Sequence, residues 1–104
     1  KFGCVVGDEV TIGHNVILHG CKIGDQTLIG MGSIVMDGAV TSDHCVVGAG
    51  SLVTEGKKFE PYSLIIGRPA VFKRKLNQDE IKFLKQSADN YVMYTSWYKE
   101  ADKS

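Results

Sequence analysis

Aliphatic residues recur along the first half of the chain at a period of six. The units read Val6-Gly-Asp-Glu-Val10-Thr, Ile12-Gly-His-Asn-Val16-Ile, a shortened Leu18-His-Gly-Cys-Lys22, then Ile23-Gly-Asp-Gln-Thr27-Leu. Ile29-Gly-Met-Gly-Ser33-Ile, Val35-Met-Asp-Gly-Ala39-Val, Thr41-Ser-Asp-His-Cys45-Val and Val47-Gly-Ala-Gly-Ser51-Leu follow, and Val53 closes the series. Thr41 is the weak copy, because a hydroxyl stands in the aliphatic slot. A period of six matches neither a helix nor an isolated strand. It predicts a short strand, a corner, and the same again. The aliphatic residue then faces inward, Gly gives the corner its backbone freedom, and the small fifth residue lets coils approach. Three sides close a triangular coil, and coils stack at ~4.8 Å. Eight units plus Val53 make nearly three coils, roughly 14 Å of prism at that spacing. Such a short stack with open ends calls for caps or partners.

After Val53 the pattern changes. Glu55-Gly-Lys-Lys58 predicts a turn, Glu60-Pro61 opens an extended segment, Ser63–Gly67 is a short apolar strand, and Arg68-Pro69-Ala70 is a proline-fixed turn. Lys73-Arg-Lys75 is expected to be a solvated linker before a helix. Asn77-Gln-Asp-Glu80 combines an N-cap Asn with Glu at the third helical position, and acids in the first turn suit the helix dipole. The helix is expected to run to about residue 99. One stripe is Ile81, Leu84, Ala88, Tyr91, Val92, Thr95 and Tyr98; Phe83, Asn90, Tyr94 and Trp97 form a second. The reading is one domain over 1–104: β-helix at 1–53, linker and short strand at 54–76, helix at 77–99. Lys1, not Met, begins the chain, and the uncapped first coil leads to the expectation that further coils precede it.

Bulk properties narrow the function. The chain has 104 residues, 43% hydrophobic and 23% charged, with no net charge. That balance supplies no general field for nucleic acid or an anionic membrane surface. Charge is divided, net −4 over 1–56 and +4 over 57–104, which marks two structural halves. No apolar run approaches the ~20 residues of a membrane span, and no secretory signal pattern occurs. Cys4, Cys21 and Cys45 are an odd number without tight pairing or zinc-type spacing, so buried thiols in a reducing compartment, the cytoplasm, are expected. Cys45 stands in the small inward slot and reads as packing.

The candidate chemistry is Ile12-Gly-His14-Asn-Val-Ile-Leu-His19-Gly-Cys21, with two imidazoles five residues apart. The third histidine, His44, reads as a surface corner residue. The His pair, Ile29-Gly-Met-Gly-Ser-Ile-Val-Met-Asp-Gly38, Val47-Gly-Ala-Gly-Ser-Leu-Val53 and Gly67-Arg-Pro-Ala70 together resemble the gamma-class carbonic anhydrase-like proteins, relatives of which are often called ferripyochelin-binding proteins. The resemblance extends from about Gly7 to Tyr98. It implies a mainly β fold, a left-handed parallel β-helix with a C-terminal α-helix packed along it, and a homotrimer. It further implies zinc, or iron or cobalt, held by three histidines at subunit interfaces. The reaction would be reversible hydration of carbon dioxide to bicarbonate by a metal-bound hydroxide.

By the same resemblance His14 and His19 match the second and third ligands, the first falls before residue 1, and Tyr91 matches a tyrosine that reaches toward the metal pocket. Position in the repeat agrees with a shared site. His14 is third in its unit and His19 second in the next, so they belong to different sides of a prism. Packing copies around an axis brings His14 of one chain near His19 of another. Two alternatives share the repeat: a CoA-dependent acyltransferase and a non-catalytic trimeric scaffold.

Overall fold

The computed structural model describes residues 3–86. Twelve strands and the start of one helix lie within them. Sheet A is built from β1 (Val5–Val6), β4 (Lys22–Ile23), β7 (Val40–Thr41) and β10 (Lys58–Phe59). Sheet B holds β2 (Thr11–Ile12), β5 (Leu28–Ile29), β8 (Val46–Val47), β11 (Ser63–Gly67) and β12 (Ala70–Lys75). Sheet C holds β3 (Ile17–Leu18), β6 (Ile34–Val35) and β9 (Leu52–Val53). Chain order runs A, B, C and repeats, so each sheet is one side of a three-sided parallel β-solenoid. The fold class expected from the six-residue period is the one observed.

Register shows the effect of the shortened unit directly. Val5 pairs with Lys22, Thr11 with Leu28 and Ile17 with Ile34, a step of 17 residues; Lys22 pairs with Val40 and Leu28 with Val46, a step of 18. The residue missing between Leu18 and Ile23 is absorbed at one corner, and the inward slots stay aligned above and below it.

The second residue of strands β4 to β9, and Ile65 in β11, face inward. Ile23, Ile29, Val35, Val47, Val53 and Ile65 are all at most 1% exposed. Thr41 occupies the same interior position, fully buried, and its hydroxyl has no hydrogen-bond partner among the described residues. The small fifth-slot residues complete the core. Ser33 donates to the Gly48 carbonyl at 2.9 Å and accepts from the Ser51 amide at 3.3 Å, so buried hydroxyls are satisfied between coils. Cys45 is 0% exposed, as its slot requires.

Three expectations change in detail. The Gly at the second position is not the corner residue. Positive φ falls two residues later, on Glu9, Asn15, Gln26, Gly32, Gly38, His44, Gly50, Gly56 and Tyr62. The second-position Gly instead permits coil stacking: a Cβ on Gly30 would lie 2.6 Å from the Ala49 amide nitrogen. Nor does the stack stop at Val53. β10 pairs in parallel with β7, and β11 with β8, so a fourth coil begins where a descending linker was expected. β11 then turns back through Arg68-Pro69 and pairs antiparallel with β12. Lys73-Arg-Lys75 is therefore part of an exposed edge strand and not a linker. Ser63–Gly67 is a strand as the sequence indicates.

The helix α1 begins at residue 78 and is described to residue 86. Its cap is reciprocal. The Glu80 amide donates to Asn77 Oδ1, and the Asn77 amide donates to Glu80 Oε1, each at 2.8 Å. Leu84 is buried, while Phe83 is 57% exposed. The expected continuation to residue 99, including Tyr91, lies outside the described residues.

Candidate metal centre at the ends of strand β3

β3 carries the candidate site. Ile17 and Leu18 form the strand because β-branched and aliphatic side chains fill alternate faces of a pleated segment. Leu18 packs toward the core, and Ile17 faces out with 50% of its surface exposed. His14 sits on the corner before β3 and His19 on the corner after it, both exposed. The backbone at both corners is fixed from the next coil: the Gly32 amide donates to the His14 carbonyl at 2.9 Å, and the His19 amide donates to the Val35 carbonyl at 2.9 Å.

The two imidazoles thus stand at opposite edges of one side of the prism, sheet C, and not on different sides as their places in the repeat suggested. A corner and the strand β3 separate them, whereas nitrogens sharing one zinc each sit ~2.0–2.1 Å from it. Among the described residues no group of three His, Cys, Asp or Glu side chains is disposed to hold a metal. The donor chemistry suits zinc, since exposed imidazoles are good ligands. Each corner offers one exposed imidazole, which fits a metal as a partial contribution to a ligand set.

The face between the two corners is apolar. Ile17, Ile34 and Leu52 are the outward residues of β3, β6 and β9, exposed in the first and half-buried in the others. One coil from His14 lies Met31, 60% exposed, and one coil from His19 lies Met36. Sequence reasoning did not pick out these methionines as site neighbours. The signal was available in the step of 17 residues, which takes 14 to 31 and 19 to 36.

Cys4 belongs to the same neighbourhood. Its Sγ donates to the His19 carbonyl at 2.6 Å and to the Leu18 carbonyl at 3.3 Å. Burial, and the neighbouring Cys4 thiol after it, push the Cys21 thiol up to about 12, so Cys21 is a neutral thiol at physiological pH. His44 lies away from this side, on the corner between sheets A and B. Its ring stacks on Tyr62 with centroids 4.8 Å apart and planes 7° from parallel. The surface-corner reading of His44 agrees with that placement.

Comparison with known proteins gives consistent relatives. The profile of the family described as "Bacterial transferase hexapeptide (six repeats)" matches residues 3–37. The chain is 47% identical over 87 residues to gamma carbonic anhydrase 1, mitochondrial, of Arabidopsis thaliana, covering 84% of this chain and 32% of the relative. It is 48% identical over 88 residues to a probable carbonic anhydrase of Methanocaldococcus jannaschii, covering 85% of this chain and 55% of the relative. Among solved structures, a putative acetyltransferase from Bacillus cereus superposes with a TM-score of 0.84 at 41% identity, over 94% of this chain and 63% of that one. The chain therefore spans between about a third and about half of the length of these curated relatives. No helix among the described residues is long and apolar enough to cross a membrane.

Proposed function

Because this chain belongs to the hexapeptide-repeat proteins, and within them to the gamma-class carbonic anhydrase-like kind, we propose that it serves reversible hydration of carbon dioxide at metal sites shared between three copies. The observation that carries the reading is the placement of His14 and His19 at the two edges of one apolar side. A homotrimer that buries Ile17, Ile34 and Leu52 would set the His14 edge of one copy against the His19 edge of the next. Three equivalent sites then follow from cyclic closure. The resemblance assigns a third imidazole to sequence preceding Lys1, and three imidazoles leave zinc an open position.

Zinc in such a site supplies a nucleophile at neutral pH by lowering the pKa of water from 15.7 to ~7. His14 and His19 would hold the metal, on corner backbones that the second coil hydrogen-bonds. The apolar side, with Met31 and Met36, would exclude bulk water from the approach to the shared edge. Tyr91 is assigned a catalytic position at the pocket. Replacing Tyr91 by Phe is expected to lower kcat while zinc stoichiometry stays unchanged, by about a hundredfold if its hydroxyl relays the proton. Three unpaired thiols fit a reducing, cytoplasmic setting.

The direct test is stopped-flow hydration of carbon dioxide after zinc loading, with and without a chelator. The reading expects activity that the chelator removes and zinc restores. Trimers that stay inactive with zinc bound would refute it. The likeness to a putative acetyltransferase favours a second reading, acyl transfer from CoA. Saturable CoA binding by calorimetry would support that reading, and its absence would remove it.

A further inference from the structure

The two edges of sheet C carry more than the imidazoles. On the edge shared with sheet B, His14, Met31 and Ala49 stack coil upon coil. The Gly32 amide bonds the His14 carbonyl at 2.9 Å, and the Gly50 amide bonds the Met31 carbonyl at 2.8 Å. Arg68 follows in the fourth coil, on the turn between β11 and β12. Its side chain reaches back down this column, where Nη1 donates to the Gly50 carbonyl at 2.8 Å. The exposed guanidinium therefore lies at the level of the third coil. One N–H is used there, and a guanidinium carries five in a planar fork. Among the described residues no carboxylate forms an ion pair with it. The edge shared with sheet A carries acids. Asp37, in the second coil, is committed, because its Oδ1 accepts from the Gly20 amide at 2.8 Å. Glu55 lies one coil further on, where the Gly56 amide bonds the Asp37 carbonyl at 3.1 Å. It is exposed and makes no ion pair among the described residues, with Lys57 of the same turn or with any other cation. Arg68 and Glu55 thus stand level on opposite edges of one side, as His14 and His19 do two coils away. Within the chain, β9 and a corner separate them.

We propose that Arg68 of one copy pairs with Glu55 of the next, one ion pair across each interface; the inference rests on the shared-site trimer proposed above. Cyclic closure that sets His14 against His19 in the first coil keeps the prism axes parallel, so the third coils also meet level. The Arg68 fork then faces a carboxylate that it can hold through two parallel N–H···O bonds. The pair lies roughly 10 Å along the prism from the imidazoles, two coil spacings away. Ile17, Ile34 and Leu52 supply burial at the interface, but an apolar strip of repeated coils does not by itself choose between one coil level and the next. The charges make that choice. A slip of one coil would set His14 at the level of Met36 and part Arg68 from Glu55.

The test co-expresses two variants of the whole protein, Arg68→Glu and Glu55→Arg, and reads trimer composition by native mass spectrometry. Each variant alone sets like charges against each other at every interface. A mixed trimer turns two of its three interfaces back to opposite charges. Mixed trimers are expected to exceed random mixing by about fivefold. Arg68→Gln is a milder change that should shift composition the same way by a smaller factor, so the test stands even where Arg68→Glu does not fold. Random mixing of intact trimers would overturn the ion pair and leave the trimer standing. An unmodified protein that is monomeric would overturn both.

Discussion

Gly30 and Gly50 are chemically identical yet answer to different constraints. Gly30 has coil below it: an added Cβ would meet the Ala49 amide nitrogen at 2.6 Å and its Cα at 2.8 Å. Gly50 has φ +69 and open space around its Cα. Gly30→Ala must therefore shift backbone and is expected to cost about 1–3 kcal/mol, as overpacking does. Gly50→Ala pays only for left-handed backbone, about 1 kcal/mol. Urea unfolding of the two variants checks the order, and equal losses would count against it. The sequence alone suggested that the repeat's regular Gly makes the corner. It cannot reveal otherwise, because the residues that do adopt positive φ include Glu9, Gln26, His44 and Tyr62, whose identities announce no such backbone. The two roles separate only once neighbouring coils are in place.

At the scale of the element, α1 begins on a small charged network. Arg74 makes paired contacts to Glu80 at 2.7 Å from β12, while Glu80 also accepts from the Asn77 amide. The Arg74 guanidinium first, and that amide second, hold the Glu80 carboxyl down at about 2, against an ordinary 4.5. A depressed carboxylate favours the folded form above its unfolded pKa. The contribution is intact above about 4.5 and is lost as pH falls from there toward about 2. Helical circular dichroism is expected to decline across that window, and Glu80→Gln to flatten the decline. An unchanged profile in Glu80→Gln would assign the loss to other groups. Asn77→Ala removes the cap and is expected to cost about 1 kcal/mol. The cap was readable because Asn-x-x-Glu is a local signal. β12 was not. Lys73-Arg-Lys75 looks like a linker until β11 offers an edge, where exposed basic side chains are common on a strand. Ser63–Gly67 was readable as a strand, but the place of β10 and β11 in a fourth coil was hidden for another reason. The spacing Val53, Phe59, Ile65 keeps the period, but Lys57 and Pro61 replace the small and free positions that made earlier units recognisable.

For the molecule as a whole, the solenoid puts its stability inside and its chemistry at the corners. Ile29 lies at the middle of the sheet B interior column, 0% exposed, between Ile12 and Val47. Ile29→Ala is expected to lose about 2–5 kcal/mol by thermal or chemical unfolding; a loss under 1 kcal/mol would mean the column repacks freely. The repeat made this architecture legible, since a six-residue period has few structural solutions. The His pair was equally legible as chemistry, but its geometry was not complete in one chain. Five residues of spacing set two imidazoles on opposite edges of one side, and in the proposed trimer a second copy supplies the matching edge.

The claim that each metal is shared is tested most directly by mixing variants. Zinc stoichiometry is measured by native mass spectrometry on His14→Ala trimers, His19→Ala trimers, and heterotrimers reassembled from both. The shared-site account predicts no zinc in either homotrimer. Each heterotrimer should recover one bound zinc, at the single interface where an intact His14 faces an intact His19. A monomer that binds zinc alone, or heterotrimers that stay empty while the unmodified trimer binds, would contradict it.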